Sequence, residues 1–213
     1  MYVPAHFAAD DDAIAQLLAN HGAADLVTVS PDGLTATMLP FTYDPLDGPN
    51  GSLLGHVAKA NTHWRHTVQG EALVIVRGTD HYVSPSWYPS KAEHHKVVPT
   101  WNYVAAHVYG TVEWIDDPAW IERVVRGLTD KHEGRLDHGA AWSVDDAPAD
   151  FIAAQLKAVV GVRVEVTRIE AKVKMSQNRA QADVLGVIDG LDAIGHHDGA
   201  ASVRAANVDR LGS

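Results

Sequence analysis

From Thr100 to Trp114 the chain reads TWNYVAAHVYGTVEW, a run that is almost wholly apolar, aromatic or β-branched. That composition predicts a long β-strand. One face carries Val104, Ala106, Val108, Val112 and Trp114, and the other, with Tyr103, Ala105 and Tyr109, is largely apolar too. A barrel interior absorbs only one face of a strand, so a helix or a partner has to cover the second. The strand therefore predicts a two-fold dimer with a large apolar interface.

The residues leading into this strand are rigid. Pro85, Pro89 and Pro99 each hold φ near −65° and remove a backbone donor. They set Trp87, Tyr88, Trp101, Asn102 and Tyr103 in fixed positions. Such rings either fill a core or interface, or receive a flat conjugated ligand; the residues alone leave both readings open.

Before it, Asp10 to Asp12 followed by AIAQLLANHG predict a helix ended by a left-handed Gly22. Leu26–Ser30 and Leu34–Tyr43 flank a Pro31-Asp32-Gly33 turn and predict a hairpin. Ser52–Val57 gives a third strand, and Asn61 is placed to cap a short helix. Ala72–Arg77 and His81–Ser84 are expected as two strands separated by Gly78-Thr79-Asp80.

Beyond it, Asp116-Asp117-Pro118 opens a helix with Trp120, Val124 and Leu128 on one stripe. Gly134 to Asp146 is expected as loop, and Pro148 opens a further helix. Val162, Val164 and Val166 alternate in one phase, but Ile169, Ala171, Val173 and Met175 alternate in the other. Both sets share one strand only if it bulges or bends near Thr167-Arg168. A short helix from Asn178 to Ile188 follows, then a Gly-, Ala- and Asp-rich tail. Six or more strands with few helices between them define a mainly β protein, a closed or nearly closed antiparallel barrel with peripheral helices.

The 213 residues suffice for one large domain. No apolar run reaches membrane-spanning length and the N-terminus has no leader pattern, so a soluble cytoplasmic protein is expected. With no cysteine there are no disulfides, thiolate metal sites or Cys nucleophile. The formal charge of −10 lacks the footprint of a duplex DNA binder, and no helix pair carries a basic recognition helix. Phosphate-loop, dinucleotide and nucleophile-elbow motifs are absent. The 13 histidines are poorly spaced for metal: His94-His95 and His196-His197 are adjacent, and His132-Glu133 is followed by GRLD before His138.

Five strings occur in order: MYVPAHF at the start, GSLLGHVAKAN from Gly51, HYVSPSWYPSK from His81, VPTWNYVAAHVYG from Val98 and KVKMSQNR from Lys172. Together they resemble the PaiB family of FMN-binding negative transcriptional regulators. The match runs to about Leu191, which sets a domain at 1–191 and leaves 192–213 as a tail outside it. The resemblance implies a split β-barrel of the flavin-reductase and pyridoxamine-oxidase-like superfamily, built as a homodimer with FMN at the subunit interface. It directs the phosphate to the stretch Leu54–Asn61, with His56, Lys59 and helix-start amides at Asn61 as the cradle. It turns the aromatic stretch toward a ligand site, with Ser84, Trp87, Tyr88, Thr100, Trp101 and Asn102 as candidates. Ser176, Gln177 and Asn178, in the last string, are read as structural or ligand-adjacent, and Lys174 and Gln177 join the cofactor-binding candidates. Lys172 and Lys174 share one strand face, and a solvated face or weak nucleic-acid patch are the competing readings. The rival functions are a flavin-dependent oxidoreductase and a haem-handling barrel.

Overall fold

The computed structural model describes residues 1–136 and 139–212. Asp137 and His138, within the expected loop, and Ser213 at the end of the tail lie outside the described residues. Six strands, β1 (Ala23–Ser30), β2 (Gly33–Asp44), β3 (Ser52–Ala58), β4 (Ala72–Val83), β5 (Thr100–Ile115) and β6 (Val159–Lys174), close into a barrel in the order β1-β2-β3-β6-β5-β4. The helices are α1 (Asp11–Asn20), α2 (Ser90–His94), α3 (Pro118–Glu133), α4 (Ala149–Leu156), α5 (Gln181–Ala193), α6 (His197–Ala205) and α7 (Val208–Leu211). The chain divides into two compact units. One is assembled from Met1–Ile14, Arg77–Ala106 and the residues from Glu170 onward; the other from Ala15–Val76 and His107–Ile169.

The second unit holds the hairpin and most of the ladder. Ser30 pairs with Gly33 across the Pro31-Asp32 turn, and Gly33 takes φ 110°, which a side chain would resist. β2 pairs with β3, and β3 with β6, all antiparallel. Leu26, Leu39, Phe41, Leu53, Val74, Val76, Val162 and Val164 are buried here. Asp117 caps α3 by accepting from the amides of Ala119 and Trp120, with Pro118 in the first turn. Ile121, Val124 and Leu128 form its buried stripe. Trp120 is half-buried instead: its ring lies on Gly161, where a Cβ would stand 2.3 Å from the indole.

The first unit has its own core of Val83, Tyr88, Met175, Val184, Val187, Ile188, Leu191, Ala200 and Val203. Residues expected to trail as a tail thus form α6 and α7, and Ala200 and Val203 are fully buried. Their small side chains gave no strong apolar period, yet small residues are what close helix packing uses.

Three other expectations change. Gly78-Thr79-Asp80 do not break the chain, and one strand runs from Ala72 to Val83. Its buried set shifts from Ala72, Val74 and Val76 to His81 and Val83, so the glycine and its neighbours carry a change of phase rather than a turn. In β6 the adjacent exposed pair Thr167-Arg168 marks the expected change of phase, and the strand continues through it. Gly22 is not left-handed; the carbonyl of Leu18 near the end of α1 instead receives the Nδ1–H of buried His21 at 2.7 Å.

Candidate functional site

In the first unit, Thr100, Trp101 and Asn102 open β5 and Lys174 closes β6. The Lys174 ammonium donates to Thr100 Oγ1 and to the Trp101 carbonyl, both at 2.6 Å. Its pKa is lowered by burial first, then by the neighbouring charges of Lys172 and Arg179. Lys172 is itself buried, donates to the Tyr2 carbonyl at 3.2 Å and stands 5.3 Å from the Tyr103 ring centre. Among the described residues neither lysine has a carboxylate partner, so the strand end carries two uncompensated cations.

Asn102 is fully buried and exchanges hydrogen bonds with Ser176, giving from Nδ2 at 3.0 Å and accepting at Oδ1 at 3.3 Å. Ser176 sits at φ 66°, a left-handed conformation unusual for serine. Gln177 staples this turn, accepting from the Met175 amide and donating to the Val173 carbonyl, each at 2.7 Å. Trp101 is 48% exposed; its Nε1–H reaches Asp80 Oδ1 at 3.2 Å, and Tyr82 meets it edge-on.

The other aromatic candidates are held inside the same unit. Ser84 caps a short 3₁₀ turn by accepting from the Ser86 amide. The Trp87 indole lies on Gly190 of α5, where a Cβ would fall 2.4 Å from the ring. Tyr88 belongs to the core, with the Arg179 guanidinium 4.7 Å over its ring. Burial pushes that phenol upward. Thr100, Trp101, Asn102, Lys174 and Gln177 are therefore brought to one turn, while Trp87 and Tyr88 pack beneath α5.

His56, Lys59 and Asn61 belong to the second unit. His56 is half-buried with its Nδ1 unpaired, and burial lowers its pKa. Lys59 is neutralised by Asp116 at 2.8 Å. Asn61 does cap the 3₁₀ turn Thr62–Arg65, but its own side chain occupies the His63 amide at 2.9 Å and its Nδ2 donates to Thr37. That amide is thus already satisfied from within. Beside it His63, fully buried, is clamped between Thr28 Oγ1 at 2.7 Å and Thr37 Oγ1 at 2.9 Å. Sequence reasoning missed this threonine–histidine–threonine line. Ser176, expected to be structural or ligand-adjacent from its place in the KVKMSQNR string, is the hydrogen-bonding partner of buried Asn102.

A closed six-stranded antiparallel barrel with flanking helices is the class of fold these elements define. Residues 1–168 match the family model described as "Putative FMN-binding domain". The chain is also 31% identical over 90% of its length to the Bacillus subtilis "Protease synthase and sporulation protein PAI 2", covering 89% of that protein. The chain belongs to the PaiB family of FMN-binding domains, and FMN is the cofactor of that family. Solved structures share the fold. A conserved hypothetical protein of Mycobacterium tuberculosis matches with TM-score 0.56 at 14% identity, over 84% of this chain and 94% of that one. An FAD and heme binding protein of Mycobacterium smegmatis matches with TM-score 0.53 at 19% identity, over 83% and 77%.

Proposed function

We propose that this chain is an FMN-loaded homodimer of PaiB type that acts in the cytoplasm as a regulatory protein. Lys174 carries the reading. It is a half-buried cation whose partners are a hydroxyl and a carbonyl, and a buried charge without a counter-ion is costly. A phosphate monoester supplies that counter-ion, so the residues fit FMN. Thr100 and Lys174 would hold the phosphate, the open face of Trp101 would take the flat ring, and Asn102 and Gln177 would fix the turn. Trp87, Tyr88 and Ser84 would shape the ground beneath. His56, Lys59 and Asn61 stand in the second unit and are left out of this site; Lys59 and Asn61, already paired, are assigned to the fold. When bound, FMN supplies the redox and light-absorbing chemistry; the protein supplies binding and orientation.

The dimer is supported by apolar side chains left open in the first unit: Tyr2, Tyr82, Val98 and Trp101. The regulatory role rests on the kinship with the Bacillus subtilis protein named for protease synthesis and sporulation. Direct DNA contact is not part of the proposal, since the chain's formal charge is −10. Among the described residues no helix is long and apolar enough to cross a membrane.

Absorbance of the purified protein, followed by titration with FMN and riboflavin, tests the reading. Flavin bands and tighter binding of FMN are expected. A Soret band would assign the barrel to haem, equal affinity for the two flavins would remove the phosphate site, and sustained NAD(P)H oxidation would make the protein an oxidoreductase.

A further inference from the structure

The late part of β4 and the start of α6, both in the first unit, enclose a cleft of about 320 Å³ lined by Thr79 to His81 and Gly195 to Gly199. At its base His81 is only 5% exposed, and neither ring nitrogen meets a hydrogen-bonding atom among the described residues. Burial first, and then the nearby His196, lowers its pKa. The neutral ring therefore offers one donor and one acceptor. A buried imidazole with both nitrogens unsatisfied calls for a polar partner.

The rim supplies more donors. Gly195, at φ 80°, turns the chain into α6, and His196 at the cap position provides no side-chain bond to the helix start. The helical ladder begins with the Ala200 amide donating to the His196 carbonyl at 3.1 Å, so the amides of His197, Asp198 and Gly199 precede it. Gly199 faces the imidazole: a Cβ there would stand 3.0 Å from His81 Nδ1. Three helix-start amides and an imidazole N–H suit a carboxylate.

A simple anion, however, would also face Asp80 and Asp198. Asp80 gives one oxygen to Trp101 Nε1. Among the described residues the carboxylate of Asp198 has no partner, while its backbone carbonyl accepts from the Ser202 hydroxyl. Two carboxylates beside an anion-binding helix start repel a dianion and attract an ammonium group. Metal is not the match, because among the described residues no group of three His, Asp or Glu side chains is arranged to hold an ion.

We infer that this cleft binds a small zwitterion of amino-acid type, its carboxylate on the α6 amides and His81, its ammonium on Asp80 and Asp198. The site shares no residue with those proposed for FMN.

Long-range proton–nitrogen NMR spectra of the histidine rings in the full chain provide the test. L-Alanine, acetate and ethylammonium are added separately at one ionic strength, with flavin absorbance followed alongside. L-Alanine should shift the His81 and His196 ring signals saturably, with at least tenfold tighter binding than acetate or ethylammonium, and His81→Phe should abolish saturation at His196. If His81→Phe fails to fold, Asp198→Asn at an exposed position should bring L-alanine down to the level of acetate. An absent or unsaturable shift with L-alanine overturns the site. Acetate binding as tightly as L-alanine, or Asp198→Asn leaving the preference intact, overturns the zwitterion assignment. Loss of flavin binding with His81 still responding would leave this site standing while removing the FMN reading.

Discussion

Lys174 and Lys59 are both strand-end lysines, yet their surroundings give them opposite prospects. Lys59 meets Asp116, whereas among the described residues Lys174 meets a hydroxyl, a carbonyl and, at 5.8 Å, the Tyr103 ring, but no carboxylate. A charge-assisted contact to phosphate is worth roughly 1.5–3 kcal/mol, or about one to two decades of affinity. In isothermal titrations Lys174→Ala should therefore erase most of the advantage of FMN over riboflavin, and Lys59→Ala should leave it in place. Trp101→Ala should weaken both flavins far more than Trp120→Ala, because the Trp120 ring is taken up on Gly161. The sequence showed the lysines and their strand but not their partners. Pairing of Lys59 with Asp116, or of Asn102 with Ser176, joins residues far apart in the chain, and no local period encodes it.

Elements with a clear period were legible. The alternation of β1, the proline-opened α3 and the opposed phases of β6 all follow from residues within a turn or two of one another. What escaped was packing of small residues, as in α5 and α6. Gly186 and Gly190 look like helix-weakening positions, but a Cβ on Gly186 would stand 2.0 Å from the Trp87 carbonyl oxygen. Gly186→Ala should destabilise the protein by about 1–3 kcal/mol through forced displacement of that turn. Gly127 of α3 has no atom within 4 Å of its Cβ position, so Gly127→Ala should stabilise by about 0.5–1 kcal/mol through helix propensity. Urea unfolding of the two variants, read at constant m-value, separates a glycine needed for contact from one that is only tolerated.

For the molecule as a whole, acid is the natural stress. Burial lowers His56, His63 and His81, and it brings His21, beside Lys131, from 6.5 to about 4. The unfolded chain takes up protons below about pH 6.5 that the folded chain refuses, so stability is full above that pH and falls as pH drops toward 4. Asp47, held down by its hydrogen bond from Arg163, adds a second loss at lower pH, as pH falls from its ordinary value of 3.8. The urea midpoint should thus decline in two stages, and His21→Asn should flatten the upper one whatever it costs at neutral pH. Sedimentation at micromolar concentration should give a dimer; a monomer would leave the second apolar face of β5 without its cover. The division of the chain has a practical consequence as well. One unit is drawn from three stretches of sequence and the other from two, so neither is a continuous segment, and expressing either alone would require joining stretches that lie apart in the chain.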